Sequence, residues 1–555
     1  MPPLTNKGAL ATASRFFLLP LSAILYVLSF PSVAPGWGML VFIAFVPALL
    51  WLENATVPMA TLAGLLYGTL SYVALTYWIA SYHPAAIGVT AVLGAMWFTP
   101  LFPVVALSLR GRRPWAVLAV PILWTAADIA RSSGFLAFPY GTLPYALYDR
   151  SFSLSLASVL GAEAVGLVII AVNCGLYSSL RALESVRTLA SIKTRTSIKT
   201  RTSMDRSGKA RLMRAIIPGA LAVAVVAAIA LLGPAQKLGT LDEVKPGKVK
   251  TEGHFRVALV QAGIRERQLR GEDYSAMMTR LMELSREALA TEPDLVIWHE
   301  TSVVPPIDWH LRRRYDRTLM DTLLELKAFL DGYPVPILLG NGWADPEDPQ
   351  RRIQGNAAIL YDEGMVRGMY LKMMLVPFSE YFPFRERFPG VADWLETAFG
   401  YFWIPGTERK IFSVDGASFA APICFEDSFG SHLASFDEPD FFVVLTDDSW
   451  AKSARMQEQH LSMSAFRAAE TATTVLRAAN TGSTAAIEAN GNVALTLPPF
   501  EPGVLTVDLL PAKHVRTAYE RWGWMFGPIL GYAGLALAIA LGLMGIIARV
   551  KRNKR

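Results

Sequence analysis

Over the first 233 positions, apolar residues come in long unbroken runs rather than in the spaced stripes of a soluble helix or the alternation of a half-buried strand. The runs cover 15–33, 37–52, 61–80, 86–109, 115–130, 153–178 and 215–233, and one more covers 525–550. Each approaches the about 20 residues that cross a hydrocarbon layer about 30 Å thick. The pattern therefore predicts eight membrane-spanning helices, seven before residue 234 and one after it. Pro20 and Pro31 interrupt the first run and more runs follow at once, so it is expected to be a span, or two short helices, rather than a cleaved leader. Between 251 and 512 the pattern changes. Short β-rich runs at 256–261, 294–298, 356–361, 419–424 and 441–446 alternate with helical stretches at 274–289, 312–330 and 456–472. That alternation predicts an α/β domain with both sheet faces covered, long enough to bury its own core.

Composition agrees with a chain that is part membrane and part soluble. Of 555 residues, 52% are hydrophobic and 18% charged, against about 25% charged in ordinary soluble domains. Two cysteines, Cys174 and Cys424, are too few for a disulfide scaffold. A net charge of +6 argues against nucleic-acid binding unless the positive charge is gathered in one place. It is gathered where membrane topology would put it. Lys7 and Arg15 lie at the N-terminus, Arg110, Arg112 and Arg113 follow the fourth run, and Lys551 to Arg555 form the tail. The segment 181–214 holds ten basic residues against Glu184 and Asp205. Short loops rich in Lys and Arg stay in the cytoplasm. With eight spans, both termini and the basic loops fall on that side, and 234–520 falls on the outer side. In the basic loop, Ser191–Thr196 repeats as Ser197–Thr202. The repeat fits a lipid-headgroup or nucleic-acid contact, and equally a solvated loop enlarged by slippage.

Phosphate-loop, serine-elbow and zinc-helix motifs are absent, and the seven histidines lack ligand spacing, so no metal or cofactor is expected. Cys424 ends an apolar run, Ala420 to Ile423, where a loop begins; α/β folds display reactive groups there. It could equally be a buried cysteine acting as a small hydrophobe. A thiol nucleophile needs a base and an oxyanion stabiliser. Glu300 closes the run 294–299 and Lys372 follows Leu371, each at the end of an apolar segment. Alone, such a Glu reads as a cap or surface residue and such a Lys as one that snorkels to water.

Together, Glu300, Lys372 and Cys424, in this order, resemble the Glu-Lys-Cys triad of the nitrilase, or carbon–nitrogen hydrolase, superfamily. With membrane spans on both sides, the chain is similar to one branch, the bacterial apolipoprotein N-acyltransferases. The stretches carrying the likeness are 257–261, 375–381, 422–426, 467–470 and 477–482. The resemblance implies an α-β-β-α sandwich in a bacterial inner-membrane protein, monomeric and free of cofactors. It implies that Glu300 is the base for the Cys424 thiol, and that Lys372 and the Phe425 N–H hold the oxyanion. Glu380, with Tyr381 beside it, would position Lys372 and the substrate, and Glu426 would be a further acidic residue needed for activity. The donor would be a phospholipid, typically phosphatidylethanolamine, and the acceptor a diacylglyceryl apolipoprotein. The chain departs from the family's pattern at His299 (usually Pro), Ser379 (Gly), Phe425 (Tyr) and Asp447 (Asn). It departs again at Ala262-Gly263 and near Arg270, where a Trp is expected.

Residues 378–403 hold ten aromatics in 26 positions, against 11% for the whole chain. The stretch begins six residues after Lys372, so it reads as a lid or lip that admits acyl chains, with Phe399, Tyr401, Phe402 and Trp403 facing lipid, or else as packed core. Three rivals remain: a membrane-anchored amidase using the same triad with water, a degenerate lipoprotein-binding homologue, and a thiol protease using His299 or His460.

Overall fold

The computed structural model describes residues 16–110, 115–134, 136–195, 224, 241–264, 271–313, 317–351, 353–399, 402–511 and 514–553. The chain forms two compact units, one from residues 1–234 with 524–555, the other from 235–523.

In the first unit, four helices among the described residues are long and apolar enough to cross a membrane: Val57–Leu75, Ala86–Leu109, Ala162–Glu184 and Gly523–Ile547. This is fewer than the eight read from the sequence, and the causes are local. The run at 15–33 gives only the helix Leu18–Leu28, because Ser29–Gly36 turns back and Gly36 adopts φ 88° against the Phe30–Pro31 backbone. Eleven residues at 1.5 Å each make about 16 Å, roughly half the hydrocarbon thickness. The run at 37–52 becomes a short 3₁₀ turn, Gly38–Phe42, followed by Val46–Leu52. Gly161, at φ 82°, breaks the run at 153–178 into Ser151–Leu160 and a longer helix that continues to Arg195. Pro121 sits inside the 16-residue helix Ala116–Arg131. The run at 215–233 and the loop beyond Arg195 lie outside the described residues, as do Lys7, Arg15, Arg112 and Arg113.

Helices Val57–Leu75 and Ala86–Leu109 pack through glycine. A Cβ on Gly68 would stand 2.2 Å from the Gly94 carbonyl oxygen, and one on Gly64 equally close to that of Phe98. This small-residue spacing lets two backbones touch where lipid offers no hydrophobic force between helices.

The second unit has thirteen strands among its described residues. In chain order they are β1 (Asp242–Glu243), β2 (Phe255–Gln261), β3 (Leu295–Trp298), β4 (Ile337–Ala344), β5 (Gln354–Asp362), β6 (Met365–Leu371) and β7 (Ile411–Val414). There follow β8 (Ala417–Ala420), β9 (Phe441–Thr446), β10 (Thr474–Ala479), β11 (Ala485–Ile487), β12 (Val493–Thr496) and β13 (Gly503–Leu509). One sheet runs β1-β13-β2-β3-β4-β5-β6 and the other β12-β11-β10-β9-β8-β7. Strands β2, β3 and β4 are mutually parallel, as are β8, β9 and β10, and these parallel centres read as continuous apolar runs because both their faces are buried. The sheets face each other through β10 against β2 and β3. Helices Gly271–Ala288 and Arg317–Gly332 cover the first sheet through Met278, Leu281, Leu323 and Leu326, and Ala454–Thr471 covers the second. The result is an α-β-β-α sandwich.

We expect Gly68→Val to lower the thermal midpoint of the detergent-purified protein, with a cost of about 1–3 kcal/mol for forcing the helices apart. Gly88→Ala, where a Cβ meets nothing within 4 Å, should leave the midpoint unchanged or raise it slightly. Equal midpoints for both variants would show that the glycine contact contributes nothing.

Candidate active site

Three strand ends of the sandwich converge. Glu300 follows β3 and Lys372 follows β6, both in the first sheet, while Cys424 follows β8 in the second. Cys424 takes φ 51°, a left-handed conformation uncommon for a residue with a side chain. Ile423 still pairs with Leu445 of β9, and the 3₁₀ turn Cys424–Ser428 starts at the next residue. The chain therefore turns sharply at the thiol. Phe425 stands at the start of that turn, where a backbone N–H has no acceptor within the turn.

Lys372 is completely buried. Its Nζ donates to Glu300 Oε1 at 3.1 Å and to Glu380 Oε1 at 2.7 Å. Burial works against the ammonium, but the two carboxylates outweigh it and hold its proton affinity well above the ordinary range. Glu300 is gripped on every side: Oε1 also accepts from Asn356 Nδ2 at 2.7 Å, and Oε2 accepts the Asp447 N–H at 2.9 Å across the gap between sheets. Glu380 Oε2 accepts the Val376 N–H at 2.8 Å, closing the loop after Lys372 on itself. Burial, opposed by Lys372, raises the Glu380 carboxyl. Burial and the Glu300 charge push the Cys424 thiol well up, with Lys372 opposing, so the group rests as a thiol.

Glu426 does not face the thiol. Its Oε1 accepts from the N–H groups of Met373 and Met374 at 2.7 and 3.0 Å and from the Tyr370 hydroxyl at 2.8 Å, and its Oε2 accepts the Ile423 N–H at 2.7 Å. It thus clamps the lysine-bearing loop to the cysteine turn. Burial disfavours its charge, yet His432 and these N–H groups hold its carboxyl below the ordinary range.

Beneath the cysteine lies a network that the sequence did not single out. Arg477 donates to Asp427 at 2.6 Å and Asp448 at 2.9 Å, and His460 sits between the same two carboxylates at 3.0 and 2.9 Å. Both ring nitrogens are engaged, so His460 is not placed to act as a protease base, and His299 is fully buried beside Glu300. Cys424, Asp448 and His460 bring ligand-type atoms within 4.8 Å of one another, but Arg477 already supplies the cation those carboxylates need. Burial presses the His460 imidazole toward neutrality, as does Arg477, and the aspartates still raise its pKa to about 9. Only motif chemistry could have pointed here, since buried Asp, His and Arg carry no periodicity.

The aromatic stretch after Lys372 corrects one expectation. Phe402 is 7% exposed and packs inward, and Trp403 is half-buried, its N–H bound to the Glu380 carbonyl at 2.8 Å. Among the described residues the outward aromatic side chains are Phe378, Phe384, Phe388 and Trp394, the last 64% exposed on the helix Pro389–Phe399. Tyr401 and the Phe399 side chain lie outside the described residues, as do the positions around Arg270. Tyr381 is half-buried, its carbonyl accepting from the Phe378 N–H.

Residues 22–175 match the family described as apolipoprotein N-acyltransferase N-terminal domain, and residues 256–519 match carbon–nitrogen hydrolase. Apolipoprotein N-acyltransferase 1 of Treponema pallidum (strain Nichols) is 32% identical over 549 residues, 95% of this chain and 96% of the relative. Its namesake in Treponema denticola is 30% identical over 92% of this chain and 93% of the relative. Among solved structures, an amidase from Nesterenkonia sp. AN1 aligns over 50% of this chain and 96% of its own at 18% identity, with a TM-score of 0.35. The chain belongs to the apolipoprotein N-acyltransferase family, built on a carbon–nitrogen hydrolase domain.

The buried network makes stability depend on pH. An imidazole at about 9 in the fold and 6.5 when unfolded stabilises fully below pH 6.5, and that contribution is lost as the pH rises through 9. The difference is roughly 3 kcal/mol. We expect the thermal midpoint to fall across this window in the wild type. His460→Gln should start lower at pH 6.5 and lack most of the fall. Parallel wild-type and variant curves would remove the imidazolium from the network.

Proposed function

We propose that the protein transfers an acyl chain from a membrane phospholipid, phosphatidylethanolamine by preference, to the α-amine of a diacylglyceryl-cysteine at the N-terminus of a lipoprotein. The observation that carries this reading is the fully buried Lys372 ammonium, bonded to Glu300 and Glu380, next to a thiol that feels both Lys372 and Glu300. In the first half-reaction Glu300 takes the Cys424 proton as sulfur attacks the ester carbonyl. Lys372 Nζ and the Phe425 N–H receive the negative charge of the tetrahedral intermediate. Its collapse forms the thioester, and the departing lysophospholipid oxygen takes the proton from Glu300. In the second half the amine attacks the thioester, Glu300 accepts the amine's proton, and Cys424 leaves and is reprotonated.

The exposed Phe378, Phe384, Phe388 and Trp394 form a surface suited to acyl chains and the membrane interface. In this reading the chain is held in a bacterial inner membrane, as a monomer, with both termini and the basic loops cytoplasmic and the catalytic unit on the outer side. The charge of the short loops supports that topology.

The test is the intact mass of detergent-purified protein incubated with phosphatidylethanolamine and no acceptor. We expect one added acyl mass, removed by hydroxylamine, absent from Cys424→Ser and Glu300→Ala. Lys372→Arg should lose at least about 10²-fold in rate, because a planar guanidinium does not replace a compact ammonium. Release of lysophospholipid without an acyl mass would favour a hydrolase, and neither product would favour a binding role.

A further inference from the structure

The helix Leu18–Leu28 has eleven residues against nineteen in its neighbour Val57–Leu75, and a groove of about 470 Å³ runs beside the pair. Leu19, Pro20 and Ala23 line it from the short helix, and Ala63, Leu66 and Leu70 from the long one. Spacings of three and four residues put each set on one helix face. The alanines give the groove its depth, since a larger side chain at either position would fill it. Tyr67 also lines it, but its hydroxyl is paired with Ser22 Oγ at 3.2 Å. Polar lining is therefore gathered at one end, where Trp51, Asn54 and Ala55 stand just before the long helix begins. Arg110 reaches that end from the close of the helix Ala86–Leu109, its Nη2 donating to the Ala55 carbonyl at 3.5 Å. It is exposed and forms no ion pair among the described residues. Glu53, next to Asn54, is already engaged: it is bound by Arg181 and accepts from the Tyr177 hydroxyl at 2.6 Å and Asn54 Nδ2 at 2.8 Å.

We propose that this groove is a binding site for one acyl chain of a phospholipid with a net negative headgroup, whose phosphate sits at Arg110. Three observations select that occupant. The first is length: from Met59 to Leu70 the long helix climbs about 16 Å, half of a hydrocarbon layer about 30 Å thick. One leaflet is the reach of one acyl chain, whereas a partner's spanning helix would engage both leaflets and is about 10 Å across. The second is polarity: the groove is apolar along its length and polar only at the end where a headgroup would lie, beside Trp51, a residue type that favours the membrane interface. The third is charge. Arg110 and the N-terminus of the helix Val57–Leu75 both favour an anion at that end. An ethanolamine headgroup would bring its ammonium toward Arg110 with no carboxylate left to receive it, because Glu53 is bound by Arg181. The site lies in the first unit, on the side of the basic loops, and is separate from the groups that surround Cys424.

This inference takes from the proposed function only that these helices lie in a membrane; it does not use the triad. The experiment places the full chain in phosphatidylcholine nanodiscs containing a little phosphatidylglycerol or phosphatidylethanolamine with a photoreactive diazirine on one acyl chain. Adducts are located by peptide mass. We expect phosphatidylglycerol to label residues 16–23 and 59–70 more heavily than the last helix around Leu535, Ile539 and Ile546, whose side chains are equally exposed. Phosphatidylethanolamine should label the groove about fivefold less, the effect of one cation near the membrane surface. Arg110→Gln should abolish that difference. Ala63→Phe should bring groove labelling down to the level of the last helix, with the last helix labelled as before. Equal labelling of groove and last helix in the wild type would overturn the site, as would an Ala63→Phe variant that labels like the wild type. A headgroup preference that is absent, or that survives Arg110→Gln, would overturn it too. Should Ala63→Phe fail to fold, Arg110→Gln decides alone. No labelling of either region would defeat the membrane reading, and the site with it; labelling of the last helix alone would defeat the site and leave the membrane reading standing.

Discussion

An ammonium sealed from water is stable only where carboxylates compensate it, and the catalytic unit is arranged around that requirement at Lys372. Two carboxylates answer it from different directions, Glu300 from the end of β3 and Glu380 from the loop that follows the lysine. Neither can move without leaving a buried charge unpaired. Glu300, Lys372 and the loop are therefore fixed by one electrostatic demand, and Asn356 and the Asp447 N–H restrain the rest of Glu300.

The second sheet has to be brought to the first with equal care, because Cys424 belongs to it. Glu426 does this from below, with one oxygen on the N–H groups after Lys372 and the other on the N–H before Cys424. It is an acidic residue of the site whose work is mechanical. The Asp427–His460–Asp448–Arg477 network supports the same turn from the opposite side, balancing two anions against two cations with nothing exposed.

Glu300, Lys372 and Cys424 could be picked out because each closes an apolar run, but each alone had a bland explanation, and only their order and the family resemblance joined them. The α/β character was legible in the alternation of apolar strand runs with helical stretches, while the two-sheet sandwich came from the family resemblance. Span lengths were not, since hydropathy sums over a window and does not register that the chain turns back after Leu28 or that Gly161, at φ 82°, ends a helix. Aromatic density near Lys372 marked the right segment but not its facing. Phe402 turns inward while Trp394 turns outward, a matter of helix phase and loop closure that a count cannot carry. His299 and Asp447 showed in the sequence only as separate departures from a family pattern. That Asp447 stands beside Glu300, its N–H on the carboxylate, appears only once two strands from different sheets end side by side.

The protonated state of Cys424 has a consequence apart from turnover. Peroxides and other oxidants attack thiolates far faster than thiols, so a cysteine kept protonated by burial and a neighbouring carboxylate is a poor target for sulfenic acid formation. A protein waiting between substrates would keep this thiol intact without a dedicated reducing partner. In the proposed reaction the sulfur gives up its proton only as it attacks an ester. Durability and reactivity are then separated in time by the same charge arrangement.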